Sequence, residues 1–237
     1  MANVFINDSY FTNIANAIRT LNGLTTTYKP SEMAAAIDAL DLSTVEDNLL
    51  ASIIERSVTT ISNSTATIIK EYTLSYCSNL TSATFSAVTS IKEGGFYMCT
   101  ALTDVNLPLI TTIGSSTFYG CSSLQTITLP ATDCLIGNYA FQNCTSLEKV
   151  DCTNCGMIRA NAFYGCSSLK TLILRSDWTN KITSISSSSA LDNPMNKYGG
   201  FYIYVPSALK SMYLSNSSWK SYSSHIRAIE DYPDICG

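Results

Sequence analysis

Charge is scarce in this chain: only 14% of its 237 residues are Asp, Glu, Lys or Arg, and histidine occurs once. With 14 basic residues and a net charge of −4, binding that depends on neutralising many phosphates is excluded. The single histidine, His225, has no nearby acid and nucleophile pattern and leaves no second ligand pair of the usual metal-binding kind. Nucleophile-elbow, zincin, Walker and dinucleotide-binding glycine patterns are all missing. The acids Glu71, Glu93, Asp104, Asp133, Glu148 and Asp151 are scattered through the chain rather than paired. No catalytic residue, metal or cofactor is therefore expected. Nor is there a run of 18 apolar residues, so membrane insertion is not expected. The start, MANVFINDSYFTN, lacks the basic and apolar regions of an export leader.

What is abundant is apolar residues, 46% of the chain, together with nine cysteines and many Ser, Thr and Asn. That composition supports a substantial core and excludes wholesale disorder. Without a visible leader, reduced thiols are expected rather than a disulfide framework.

The cysteines carry a period. Cys77, Cys99, Cys121, Cys144 and Cys166 are separated by 22, 22, 23 and 22 residues. Three positions after each stands a leucine (Leu80, Leu102, Leu124, Leu147, Leu169), and three before each a large apolar residue (Leu74, Phe96, Phe118, Phe141, Phe163). Ile69, Ile91, Ile113, Ile136 and Ile158 lead the units. After each column leucine comes an alternating stretch, as in Leu124, Ile127, Leu129 or Leu169, Leu172, Leu174. Alternation with period two is the signature of a strand. Carried back by one period, it predicts a first strand in SVTTIS around Val58 and Ile61. Carried forward, past an enlarged unit, it predicts a last one through Phe201, Ile203 and Val205.

A unit this short cannot bury its own apolar face, so neighbours must stack and share continuous internal ladders. The expected fold is an α+β repeat protein: a leucine-rich-repeat solenoid over residues 57–206 with a parallel β ladder of about seven rungs. At about 4.8 Å per rung this is a rod or arc roughly 30 Å long. The column cysteines are expected to pack as small hydrophobes. Cys152 and Cys155 form a C-x-x-C, but Cys152 falls on an inward strand position, against redox or zinc chemistry.

IGSSTFYGCSSLQTITLP (113–130) shows the full pattern and resembles the BspA-like leucine-rich repeat family. The closing stretch from Ile203 to Glu230 resembles the terminal cap of such proteins. The resemblance implies a solenoid used for adhesion or protein binding, without catalysis.

The two ends lack the period. Phe11, Ile14, Ile18 and Leu21 form one helical face, and Met33, Ile37 and Leu40 a second, giving a helical hairpin over residues 1–41. Ser43 and Glu46 form a capping box that opens a capping helix over 42–56, with Val45, Leu49 and Ile53 on its apolar face. Residues 11–40 are similar to an N-terminal segment of tail and other structural proteins of phages that infect Gram-positive bacteria. That similarity implies a docking segment for other virion proteins, with Phe11, Ile14, Ile18, Leu21, Met33, Ile37 and Leu40 as contacts, and a place on a phage tail or particle surface. An ordinary helical cap is the plainer alternative. Residues 207–237 are expected to form a helical C-terminal cap in which Leu209, Tyr213, Trp219, Tyr222, Ile226 and Ile229 cover the last rung.

Outward strand positions are the candidate contact surface, with a merely solvated sheet face as the plainer alternative. They form two stripes: Ser82, Asp104, Thr126, Lys149, Thr171 and Tyr202, then Thr84, Asn106, Thr128, Asp151, Ile173 and Tyr204. Short polar groups bordered by aromatics suit a protein or a surface glycan. Two expectations follow: a recognition module of a phage particle, or a bacterial cell-surface adhesin exported by an unseen route. A homo-oligomer is a further partner left open, though no coiled-coil heptads support it. Tyr97, Tyr119 and Tyr164 form a second aromatic set away from the strand face, of binding or structural use.

Overall fold

The computed structural model describes residues 56–130, 133–175, 181–191 and 200–236. All but Arg56 and Ser57 belong to the compact unit Val58–Gly237. The hairpin read at 1–41, with Phe11, Ile14, Ile18, Leu21, Met33, Ile37 and Leu40, lies outside the described residues, as does the capping helix at 42–56 apart from Arg56.

Each coil of the repeat contributes two strands. The first strands are β1 (Thr60–Asn63), β3 (Ser82–Phe85), β5 (Asp104–Asn106), β7 (Thr126–Leu129), β9 (Lys149–Thr153), β11 (Thr171–Arg175) and β13 (Tyr202–Val205). These are the seven expected rungs. The second strands are β2 (Ile68–Ile69), β4 (Ser90–Ile91), β6 (Thr112–Ile113), β8 (Cys134–Ile136), β10 (Cys155–Ile158) and β12 (Ser184–Ile185); the first five each carry one isoleucine of the leading column, and Ile185 of β12 continues it. Every strand pairing is parallel and keeps column with column: Ala83 faces Val105, Val150 faces Leu172, and Ile91 faces Ile113.

Inside the coils the expected columns form the core. The Phe96, Phe118, Phe141 and Phe163 rings stack with centroids 5.2, 5.2 and 5.3 Å apart and nearly parallel planes. Each ring contributes about 1.5–3 kcal/mol by leaving water. All nine cysteines are free and buried. The column thiols also bond between coils: Cys99 donates to Leu74 O at 3.0 Å, Cys121 to Phe96 O at 3.2 Å, Cys144 to Phe118 O at 3.0 Å and Cys166 to Phe141 O at 3.0 Å. Cysteine suits the column because it is small, apolar and still a donor. Threonines add a second rung-to-rung bond, with Thr81, Thr103 and Thr111 hydroxyls donating to the carbonyls of Thr59, Thr81 and Thr89.

The turns before the column cysteine use the left-handed region twice per coil. One column is Tyr72, Gly94, Ser116, Tyr139 and Asn161, the other Tyr76, Met98, Gly120, Asn143 and Gly165. At Gly94, with φ of +63°, a Cβ would stand 2.3 Å from the Tyr72 ring. The large side chain of one coil thus requires glycine in the next.

Three features depart from expectation. The first strands do not form one sheet: β1, β3 and β5 make one block, and β7, β9, β11 and β13 make another with an added strand, β14 (Ile226–Ala228). The second strands run unbroken through all six coils. The C-terminal cap is not wholly helical. Helix α1 (Ser207–Ser215) carries Leu209 and Tyr213, a 3₁₀ segment (Ser217–His225) carries Trp219 and Tyr222, but Ile226 lies in β14, which pairs with β13 as an eighth rung. The cap is tied to the last coil by Trp219 Nε1, which donates to Thr183 O at 2.8 Å, and by Tyr213 Oη, which donates to Thr183 Oγ1 at 3.1 Å.

Candidate functional site on the strand face

Strand alternation sends the column residues inward and leaves the two predicted stripes on the outer face of the first strands. The structure divides those stripes into two regions with different fates.

Over the second to fourth rungs the stripe residues meet solvent. Asp104, Asn106, Thr126 and Thr128 are exposed, and Ser82 and Thr84 are half-buried. The Ser82 hydroxyl donates to Asp104 Oδ2 at 3.2 Å, which orients the carboxylate along the sheet. Where β5 and β7 fail to pair, the surface opens into a recess of about 420 Å³. Thr84, Asp104, Asn106, Thr126 and Thr128 supply its polar groups. Its apolar lining is Val105, Leu107 and Ile127, with Pro108 and Pro130 at the rim. Val105 is only half-buried although it stands in an inward column, which marks the opening of the sheet at this rung.

Over the later rungs the predicted face is covered. Ile173 is 0% exposed and Tyr204 3% exposed, so neither is an accessible binding residue as expected. They lie beneath residues 229–236, where a 3₁₀ turn (Ile229–Asp231) and a one-turn helix α2 (Pro233–Cys236) fold back over β9, β11 and β13. Cys236 packs with Ile173 and Tyr204, flanked by Tyr202, Ile229 and Tyr232. Lys149 Nζ donates to Ile235 O at 2.8 Å. Arg175 grips Asp151 through Nε at 2.8 Å and Nη2 at 2.9 Å, and Nη2 also donates to Cys236 O. The bidentate carboxylate raises the Arg175 pKa, and burial raises those of the Tyr204 phenol and the Cys236 thiol. Tyr202 is half-buried under the Arg227 guanidinium, 4.6 Å above its ring, and Thr171 is half-buried beside them. The stripes alone gave no sign of this cover, because the covering residues carry no repeat pattern.

The tyrosines of the turn edge brace one another. Tyr97 and Tyr119 stack at 4.8 Å, and Tyr76 meets Tyr97 edge-on at 5.4 Å. Tyr72 Oη donates to Glu93 Oε1 at 2.6 Å; burial first, then this bond, push its phenol pKa up to about 12. Tyr164 is exposed.

Cysteine chemistry is suppressed. Burial drives the Cys121 and Cys134 thiols well above their ordinary pKa, and Cys152 is held neutral by a bond to Cys155 together with burial. Among the described residues no group of three His, Cys, Asp or Glu side chains is arranged to hold a metal. Among them, too, no helix is long and apolar enough to cross a membrane.

The model of the BspA type leucine rich repeat region matches in six copies, over residues 39–110 and 67–190. No curated protein matches the chain in sequence. Among solved structures the chain is similar to a leucine rich cell surface protein from Faecalibacterium prausnitzii A2-165, at 28% identity and a TM-score of 0.43, over 59% of this chain and 35% of that one. It is also similar to a leucine-rich repeat protein from T. pallidum, at 20% identity and a TM-score of 0.36, over 54% of this chain and 71% of that one. A leucine-rich repeat protein from Bacteroides ovatus ATCC 8483 matches at 22% identity and a TM-score of 0.34, over 59% of this chain and 43% of that one. The chain thus spans about a third of the Faecalibacterium structure and under half of the Bacteroides one.

Proposed function

Because the chain belongs to the BspA-type leucine-rich repeat family, we propose that it is a non-enzymatic recognition and adhesion protein. Its contact surface is the strand face around the β5–β7 recess. The observation that carries this reading is the recess itself, where exposed hydroxyl, amide and carboxylate groups converge over half-buried Val105 and buried Leu107 and Ile127 on a stacked scaffold. Converging polar groups of this kind suit hydrogen bonding to a glycan or to the polar part of a protein surface.

The test is binding of the labelled chain to whole bacterial cells and to immobilised glycans. A Thr126→Arg, Thr128→Arg pair fills the recess mouth with bulk and charge and should cut retention at least tenfold, with an unchanged melting temperature. Undiminished retention would remove the recess from the function.

A finer reading places the protein on a phage tail or virion, fixed there by residues 1–41 and by Phe11, Ile14, Ile18, Leu21, Met33, Ile37 and Leu40. It rests on the resemblance read in the sequence of residues 11–40 alone. A chain lacking residues 1–41 should then fail to enter particles while the solenoid still folds, and normal incorporation would refute the docking role. The alternative is a bacterial cell-surface or secreted adhesin, which family membership favours. Adjacent tail and lysis genes support the first, and an anchoring or secretion locus the second.

A further inference from the structure

The segment 229–236 sits on the solenoid in the manner of a bound ligand. Its buried contacts form a small cluster of Ile173, Tyr204 and Cys236 on the outer side of the sheet, opposite the Phe and Cys spine. Pro233, Asp234 and Ile235 are exposed, and α2 is a single turn of four residues. So short a helix has no stability of its own and is held by what it touches.

What it touches is specific. The last carbonyls of a helix have no partner within it, and cations are favourable at that end. Here Lys149 takes Ile235 O and Arg175 takes Cys236 O, with the Arg175 guanidinium held in place by both oxygens of Asp151. Ile173 and Tyr204 receive the small side chain of Cys236 between them. A basic pair set by a carboxylate, beside an aliphatic and an aromatic floor, has the make-up of an interface hot spot.

We propose that the outer face of β9, β11 and β13 is a peptide seat that the chain's own residues 229–236 keep closed. Its ligand is a peptide with one helical turn, which offers its final carbonyls to Lys149 and Arg175 and a small apolar side chain to Ile173 and Tyr204. The tethered segment competes at an effective concentration that a free peptide matches only in the millimolar range, so the seat opens when the segment is displaced. This seat is separate from the β5–β7 recess, and its failure leaves the recess reading untouched.

Cys236 reports the opening in the full chain, because the other eight cysteines lie among the coils. A maleimide under native conditions should modify Cys236 at least a hundredfold faster than any other thiol. Once alkylated there, the chain should bind a fluorescent amidated peptide IEDYPDIA, which is residues 229–235 followed by alanine. The unmodified chain should bind it at least tenfold more weakly, and Arg175→Gln in the alkylated chain should remove the binding. Cys236→Glu wedges the seat without alkylation and should bind the peptide as the alkylated chain does. Modification of Cys236 only in step with the other thiols would show that the segment opens by global unfolding, and would overturn the proposal. Selective modification without peptide binding, or binding unaffected by Arg175→Gln, would overturn it as well.

Discussion

The Cys121 thiol donates to the carbonyl oxygen of Phe96, one coil earlier, at 3.2 Å. The same oxygen accepts the Cys99 N–H within its own coil, so one carbonyl closes a turn and joins two coils. Cys121→Ala removes both the sulfur and the donor, and the small void adds to the lost bond. A loss of about 1–2 kcal/mol is expected. Cys121→Ser keeps a donor in place and should lose less. Urea denaturation of the three proteins tests the order, and equal losses would mean that the bond contributes nothing beyond packing.

Phe118 stacks on Phe96 on one side and Phe141 on the other. Phe118→Ala should cost about 3–5 kcal/mol. Because coils touch only their neighbours, the break should also divide unfolding into two stages. Calorimetry reads this as a second transition, while a single sharp transition at lower temperature would show that the stack remains cooperative across the gap.

The Tyr72 phenol, with its pKa raised to about 12, holds its proton more tightly folded than unfolded. Between the ordinary phenol value near 10 and that raised value, the native chain binds the extra proton, so stability falls as pH rises through this window. Tyr72→Phe should flatten the fall. Urea midpoints at pH 9 and 11 decide it; parallel falls in the two proteins would assign the alkaline loss to other groups. The effect is small because the ring is partly open to water.

The spine was legible in the sequence because stacking repeats one demand in every coil. Phe, Cys and Leu columns at a fixed interval announce buried ladders, and the pairing of Val150 with Leu172 follows from them. The second ladder was legible only as a column of isoleucines, since strands of two residues, such as Ser90–Ile91, are too short to alternate. Nothing periodic marks the gap between β5 and β7, although the recess lies there. The stripe residues Ile173 and Tyr204 look exposed for the same reason. Their cover is a single segment that reaches back from Cys236, and a non-local contact made once leaves no pattern to read. Arg175 and Asp151 stand on neighbouring rungs, two residues out of register, and meet only because β9 and β11 are adjacent.

The interrupted ladder also has a mechanical meaning. The first strands form two separately bonded blocks, and the unbroken row of second strands, the Phe and Cys columns and turn bonds such as Phe118 N–H to Ala140 O at 2.7 Å tie them together everywhere else. Spreading the strand face at this joint breaks no ladder bonds between first strands, whereas spreading it at any other pair of rungs would.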